Sequence, residues 1–246
     1  MGDILRTTMI GFFVGIIGTG IGGSMAFVLR NPSKRFLSAI IGLSSGLMIA
    51  IVTFELLPEA FMLGGTIAAV VGLGVGAVVA SFLDGLISRI NRISGRKDAK
   101  GYVKTGVLLG VGIALHNFPE GLAIGSGFVA QQKLGVGLAI VIALHNMPEG
   151  LAMVTPMRVG GVSRMKAFLL TLVAGAPMGL GAYLGALVGK YAFGFIGVCL
   201  AFAGGTMLYI TFGELLPRGK ELHRGKTSTY FAILGFMLGI LITKRF

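Results

Sequence analysis

The sequence predicts an all-α membrane protein with eight transmembrane helices. Of its 246 residues, 54% are hydrophobic and only 12% are charged, and the mean hydropathy is +0.90. This composition is too apolar for a soluble domain of that size. The chain contains eight apolar runs, most of them near or above the ~20 residues that a helix needs to cross the hydrocarbon core. In chain order the predicted spans cover residues 8–29, 37–62, 65–87, 103–128, 134–156, 167–188, 192–216 and 228–243.

Glycine usage and the first span support this interpretation. The chain has 42 glycines, many of them three or four residues apart, as in Gly18 to Gly22. Small residues at that spacing let helix backbones approach closely in lipid. A basic loop follows the first span without an Ala-x-Ala-like cleavage site, so we expect a retained helix rather than a signal peptide. The single Cys199 lies inside the seventh span, so neither a disulfide nor a thiolate metal cluster is expected.

The basic residues predict the orientation of the spans. Of the 21 Lys and Arg residues, 16 lie in four alternate connections at residues 30–35, 89–104, 158–166 and 218–226, and 5 lie on the other side. The positive-inside rule then places both termini outside the cytoplasm. The anionic inner leaflet accounts for the net charge of +12 without a nucleic-acid partner. We therefore predict one polytopic transmembrane domain over residues 1–246, with a cytoplasmic loop at about 88–104.

One motif occurs twice, in the fourth and fifth spans. Residues 113–123 and 142–152 share ten of eleven positions, and both contain His-Asn-x-Pro-Glu-Gly. His and Glu are four residues apart, and Asn and Glu are three apart, so the three side chains share one helix face. Each motif begins about 12 or 13 residues from an opposite surface, which at about 1.5 Å per residue places both near the bilayer centre. The predicted ligands are His116, Asn117, Glu120, His145, Asn146 and Glu149.

Each motif also contains a proline. Pro119 cannot donate to the carbonyl of Leu115, and Pro148 cannot donate to that of Leu144. Unpaired carbonyls at membrane depth are tolerated only beside a cavity, another helix or a ligand. Two prolines in register with two His/Glu pairs therefore favour a ligand pathway over a simple kink.

The donor set predicts a divalent transition metal. Ionisable groups inside a membrane are costly and usually mark a function. Imidazole, carboxylate and amide oxygen suit zinc, iron(II), cobalt or manganese, whereas magnesium and calcium prefer oxygen alone. Two glutamates would neutralise one such ion. We expect the metal to be a transported substrate rather than a resident cofactor.

A second, weaker repeat, a methionine followed by a glutamate, occurs in the second and seventh spans. Met48 precedes Glu55 by seven residues, and Met207 precedes Glu214 by seven, each glutamate opening a Glu-Leu-Leu-Pro sequence. Seven residues are two turns of an α-helix, which predicts a thioether and a carboxylate on one face. A core methionine with a glutamate near a helix end fits equally well. Glu59 fits either an entrance carboxylate or an interfacial charge, and these residues are predicted as secondary or pathway groups.

The paired motif, the eight spans and the basic third loop resemble the ZIP (Zrt/Irt-like) metal transporter family, particularly its short prokaryotic members. The resemblance implies uptake of zinc, and also of iron, manganese, cobalt or cadmium, across the cell membrane into the cytoplasm. His116, Asn117 and Glu120 match the family's ligands in the fourth helix, and Glu149 matches its ligand in the fifth. Met48 resembles the residue of the second helix that can join the site.

The same resemblance implies an architecture. Spans one to three and six to eight would form an inverted repeat around the central pair of spans four and five, and homodimers would be frequent. Spans one, four, five and six would slide as a rigid unit against the rest, in an elevator-like cycle.

Two departures from the family pattern bear on the site. Some members bind a second metal through an acid in the fifth helix and a glutamate before a proline in the sixth. Here Asn146 and Ala176 occupy those positions, so we expect one principal metal. The third loop also lacks the histidine-rich sequence of many members.

Other functions remain open at this stage. An exporter or a cation channel could use the same ligands, because orientation does not fix the driving gradient. An intramembrane zinc hydrolase would hold its metal through His and Glu with an open position. The sequence offers neither an obvious additional base nor a substrate-recognition segment, so no enzyme activity is expected.

Overall fold

The regular structure of the chain is helical. The computed structural model describes residues 2–28, 33–92, 99–191 and 195–243, and every regular element in these ranges is a helix. The all-α prediction is confirmed. In chain order the α-helices are α1 (Gly2–Val28), α2 (Lys34–Ile51), α3 (Leu57–Arg92), α4 (Ala99–Ala130), α5 (Gln132–Val159), α6 (Arg164–Gly175), α7 (Pro177–Tyr191), α8 (Ile196–Ile210), α9 (Leu216–Leu222) and α10 (Thr227–Thr243).

Several helical stretches are long and apolar enough to cross a membrane. Within the described residues there are five of them, and a shorter apolar helix covers Thr227–Thr243. The stretch Lys34–Leu86 has 53 residues, about twice the length that one crossing needs. It is interrupted at Gly65, whose φ of 72° and ψ of 165° are not helical. Glycine adopts such a φ at no steric cost, so the chain turns between the predicted second and third spans.

The ends of the predicted loop at 88–104 are helical. The backbone of α3 continues to Arg92 and α4 begins at Ala99, so the connection is shorter than the sequence predicted. Residues 93–98 lie outside the described part of the chain. The predicted sixth span is in turn divided into α6 and α7, because Pro177 cannot continue the hydrogen-bond ladder of α6.

Two π-helical turns, Val52–Leu56 and Thr211–Leu215, connect α2 to α3 and α8 to α9. Each is closed by an N–H that bonds to the carbonyl five residues earlier, from Leu57 to Val52 and from Leu216 to Thr211. A proline follows one residue later in both cases. Its ring would clash with the carbonyl four residues before it, and the wider π turn relieves that clash. Each turn contains the glutamate of one Met/Glu pair. The methionine and glutamate side chains therefore do not share the common face that an uninterrupted α-helix would give them.

The helices pack in two groups. In the first group α1 packs against α5, α6 and α7, and α4 packs against α5 and α7. In the second group α3 packs against α8, and α2 packs against α10. The main contacts between the groups are those of α4 with α8 and of α2 with α5. The duplicated motif therefore lies in the first group, and α2 approaches it from the second.

Glycine lets α1 and α5 touch through their backbones. A Cβ added at Gly22 would lie 2.8 Å from the carbonyl carbon of Met147 and 2.9 Å from the nitrogen of Leu151. A Cβ at Gly150 would lie 2.9 Å from the nitrogen of Gly23. Side chains at these positions would force the two helices apart. This close approach holds the second copy of the motif firmly against α1.

We expect Gly22→Ala to destabilise the fold by about 1–3 kcal/mol, because the new methyl group overpacks the α1–α5 contact. Melting of the detergent-solubilised protein, followed by loss of the monodisperse species, measures the effect. Gly74→Ala is the matched control, since no atom lies within 4 Å of a Cβ added there, and its melting temperature should stay unchanged or rise. Equal melting temperatures for both variants would contradict the proposed close packing.

Candidate metal centre

The two copies of the motif meet at the α4–α5 contact. Helical backbone continues through Pro119 in α4 and through Pro148 in α5, so both motifs are displayed by uninterrupted helices. The Nε2 atom of His145 lies 3.5 Å from Oε1 of Glu120 and 3.3 Å from Oε1 of Glu149. One imidazole therefore lies beside a carboxylate from each copy.

The two asparagines join the helices on the same face. Asn146 Nδ2 donates to Asn117 Oδ1 over 2.9 Å, and Asn117 Nδ2 donates to the carbonyl oxygen of Ala174 in α6 over 2.9 Å. Both ends of the Asn117 amide are thus engaged in hydrogen bonds. Oδ1 of Asn146 has no partner. The free amide oxygen belongs to the second copy of the motif, although the family resemblance points to Asn117.

The motif side chains are buried, and several of their polar atoms have no hydrogen-bond partner. Asn117, Glu120, His145, Asn146 and Glu149 are each at most 5% exposed. Of the seven buried side-chain nitrogen and oxygen atoms that lack a hydrogen-bond partner in the described residues, five belong to them. An unpaired buried polar atom costs free energy, and an unpaired buried charge costs more. All five atoms can accept a hydrogen bond or bind a cation: Glu120 Oε1 and Oε2, His145 Nε2, Asn146 Oδ1 and Glu149 Oε2.

The other ring nitrogen of His145 contacts a residue that sequence reasoning missed. Ser44 Oγ, from α2, lies 2.5 Å from His145 Nδ1 and also donates to the His145 carbonyl oxygen over 3.3 Å. Serines in membrane helices commonly bond to their own backbone, as Ser45 does with the carbonyl oxygen of Ile41. The sequence shows only two adjacent serines in an apolar span, which does not tell the two apart.

His116 is partly exposed and lines a cavity of about 430 Å³. Glu149 belongs to both places, because it contacts His145 and also lines the cavity. All the lining residues lie in the parts of their helices that lead to the basic connections. Besides His116 and Glu149, the polar lining includes Ser44, Asp84, Glu214, Arg218 and Glu221.

Asp84 and Glu214 add carboxylates to this cavity. The five-residue spacing of Asp84 and Arg89 predicts a local ion pair, and the Arg89 side chain lies outside the described part of the structure. Asp84 accepts a hydrogen bond from the Tyr209 hydroxyl over 3.2 Å. Glu214, predicted as a pathway residue, does line the cavity.

The remaining predicted residues lie elsewhere. Met48 and Met207 are buried in the apolar core, and Met48 Sδ accepts a hydrogen bond from Thr211 Oγ1 over 3.1 Å. Glu55 and Glu59 are partly exposed near the other ends of the helices, and neither is among the described lining residues of the cavity. Met48 is one helical turn from Ser44, so it lies on the same side of α2 as that serine.

The candidate metal ligands lie near one another but do not form a complete coordination shell. Across the described ranges, no group of three or more His, Cys, Asp or Glu side chains stands ready to hold a metal. The individual contacts of His145 are nevertheless short.

Comparison with known proteins decides the family. The family model described as ZIP Zinc transporter matches residues 88–244. The chain belongs to the ZIP zinc transporter family. It is 35% identical to the zinc transporter ZupT of Chlorobium luteolum over 248 residues, covering 92% of this chain and 91% of that protein. The ZupT protein of Chlorobium phaeovibrioides is 35% identical, with 98% and 97% covered, and that of Corynebacterium glutamicum 34% identical, with 89% and 91% covered.

Membership of the ZIP family confirms several predictions. The chain is a multi-pass membrane protein of a transporter family. The intramembrane hydrolase considered above is therefore set aside, because this is a family of transporters and not of enzymes. The ZIP match begins at residue 88, and the curated relatives extend the similarity over most of the chain.

Proposed function

We propose that this ZIP protein carries zinc into the cytoplasm by alternating access, and that it also accepts iron(II), manganese, cobalt and cadmium. The ion would bind between α4 and α5 to Glu120, His145 and Glu149, with His116 as the next ligand towards the cytoplasm. The observation that supports this best is the set of five unpartnered acceptor atoms in one buried place. A divalent cation compensates all of them at once.

The spacing of the donors fits a tetrahedral ion with the bond lengths of zinc. Zinc binds nitrogen and oxygen at about 2.0–2.2 Å, and two ligands of a tetrahedral ion are then about 3.4 Å apart. His145 Nε2 lies 3.5 Å from the oxygen of Glu120 and 3.3 Å from that of Glu149. Each pair therefore has the separation of two neighbouring zinc ligands.

We propose one principal ion in each chain. The amide of Asn117 is engaged on both sides, so Asn146 Oδ1 is the better placed amide ligand. Met48 would assist from α2. Neither Asn146 nor Ala176 supplies a negative charge, so a second dication a few ångströms away would meet repulsion that a low dielectric screens poorly.

We further propose eight membrane passes with both termini outside the cytoplasm, in a single unit over residues 1–246. The break at Gly65 divides the long second stretch into two. The two π turns support an inverted repeat, because they fall at the same place in the Gly-x-Met and Glu-Leu-Leu-Pro pattern of both halves. The distribution of Lys and Arg supports the orientation. The homodimer implied by the family resemblance stays a prediction.

In this topology the structure is open to the cytoplasm. The cavity beside Glu149 and His116 lies on the side of the basic connections. Towards the other side, an apolar core that includes Met48, Leu56 and Ile142 packs without exposure to solvent. Such a plug argues against a continuous channel. The group formed by α1, α4, α5, α6 and α7 contains the proposed ligands other than Met48, which supports its movement as one body.

We expect Glu120→Gln and Glu149→Gln to reduce zinc flux to less than about a tenth, because each removes half of the charge that compensates the buried dication. Zinc uptake by proteoliposomes loaded with a zinc-sensitive dye measures the effect. In chelator, Glu120→Gln should melt no lower than the unmodified protein, since both Glu120 oxygens lack partners.

The control for flux is Asp3→Asn, an exposed carboxylate at the start of α1, which should transport normally. Wild-type flux and affinity in both buried variants would contradict the proposed site. Zinc flux out of the vesicles, with no zinc entering them under either direction of the zinc gradient, would instead favour an exporter.

Labelling with a membrane-impermeant maleimide tests the topology. In a Cys199→Ala background, Gln131→Cys should react in intact cells, because it lies between α4 and α5 on the outer side. Arg224→Cys, between α9 and α10, should react only after permeabilisation. Reaction of both from the same side of the intact membrane is incompatible with the proposed orientation.

Elemental analysis of purified protein should find one zinc ion per chain. The double variant Asn146→Asp with Ala176→Glu should bind two, because it adds two carboxylates beside the first site, and it should release metal more slowly. Anomalous diffraction locates the ions. Two well-occupied ions in the unmodified chain would rule out the single-site proposal.

A further inference from the structure

We propose that Ser44 is a positioning residue for the metal site: it holds the His145 ring with Nε2 free to bind the ion, and it does so only while the two helix groups are arranged as in this structure. The inference rests on the proposed function, since it concerns the same site. Ser44 is not among the residues that the family resemblance matches to ligands. Its contacts with His145 are what identify it.

The two contacts of Ser44 fix the proton on the imidazole ring. A serine hydroxyl has one hydrogen to donate and two lone pairs to accept with. Ser44 donates to the carbonyl oxygen of His145 and lies 2.5 Å from Nδ1. Both contacts are hydrogen bonds at once only if Nδ1–H donates to Ser44 Oγ. The neutral ring then carries its proton on Nδ1, and Nε2 has a free lone pair.

That lone pair is directed at the place where the metal would bind. Nε2 lies between the oxygens of Glu120 and Glu149 and has no hydrogen-bond partner of its own. Removing the hydroxyl would leave Nδ1–H unpaired in a residue that is 0% exposed. The proton would then be better placed on Nε2, where two carboxylates can accept it. A metal would have to displace that proton and reorient the ring before binding.

Ser44 also lies on the other side of a helix-group boundary. It belongs to α2, which packs mainly against α10, whereas Glu120, His145 and Glu149 belong to α4 and α5. A movement of the α1/α4/α5/α6/α7 group past α2 would break the Ser44–His145 bond. The ring would then lose its orientation, so metal affinity should be highest in the arrangement seen here. By linkage, bound metal should stabilise this same arrangement.

The variants Ser44→Ala and Ser44→Thr test the role of the hydroxyl, and Ser45→Ala is the matched control. Ser45 is the next residue and is also buried, but its hydroxyl bonds to the Ile41 carbonyl oxygen within α2. Zinc affinity is measured on the purified full chain by competition with a chromophoric chelator. The visible spectrum of bound cobalt(II) reports the ligand geometry directly, independently of transport.

We expect Ser44→Ala to weaken zinc binding by about 10–100-fold, the usual effect of losing a partner that orients a metal-binding histidine. Its cobalt(II) spectrum should change, and its KM for zinc flux should rise more than its maximal rate falls. Ser44→Thr retains a hydroxyl and should recover most of the affinity. Ser45→Ala should match the unmodified protein in affinity, spectrum and KM.

Unchanged affinity and spectrum in Ser44→Ala would overturn the proposal while leaving the metal site itself intact. Equal losses in Ser44→Ala and Ser45→Ala, together with lowered melting temperatures, would also overturn it, because they indicate a packing role for both serines. If the unmodified chain bound no zinc at all, the proposed function would fail and this inference with it. The affinity of the unmodified protein therefore separates the two failures.

Discussion

The arrangement of this protein depends on two carboxylates and an imidazole that are buried with most of their polar atoms left without hydrogen-bond partners. Glu120, His145 and Glu149 are nearly inaccessible to solvent, and most of their polar side-chain atoms have no partner in the described structure. Such groups are among the most expensive that a membrane protein can bury. Under the proposed function, a bound dication would offset this cost. The cost of burying these groups would then favour metal binding.

The scaffold concentrates its rigidity around these groups. Backbone contact at glycines fixes α5 against α1, and the asparagine pair joins α4 to α5 and onward to α6 through the Ala174 carbonyl oxygen. These contacts all lie within one helix group. The hydrogen bond that joins the site to α2 in the second helix group depends on a single side-chain hydroxyl, that of Ser44. Strong contacts inside one body are what a rigid-body movement needs.

The duplicated motif could be recognised from sequence because identity at ten of eleven positions leaves little ambiguity. Helical periodicity predicted that its side chains share a face, and His145 and Glu149 of the second copy do lie in contact. The relative direction of the side chains in each Met/Glu pair was harder to predict, because the 3.6-residue period does not hold through the π turns at Val52–Leu56 and Thr211–Leu215. Ser44 could not be distinguished from Ser45, since only the packing of α2 against α5 decides which hydroxyl meets His145. The hydrogen bond of Asp84 with Tyr209 spans 125 positions, beyond the reach of local pattern.

The antiparallel course of α4 and α5 gives two nearly identical sequences different positions in the membrane. In the proposed orientation α4 runs outward and α5 runs inward, so His145 precedes its glutamate on the outer side while His116 precedes its own on the inner side. A four-residue step along a helix is about 6 Å. In that orientation His116 lies on the inner side of Glu120, and His145 lies beside the carboxylates of both Glu120 and Glu149. Under the proposed function, an ion moving along the membrane normal would therefore meet donors from both helices in turn, rather than two copies of one ligand set at the same depth.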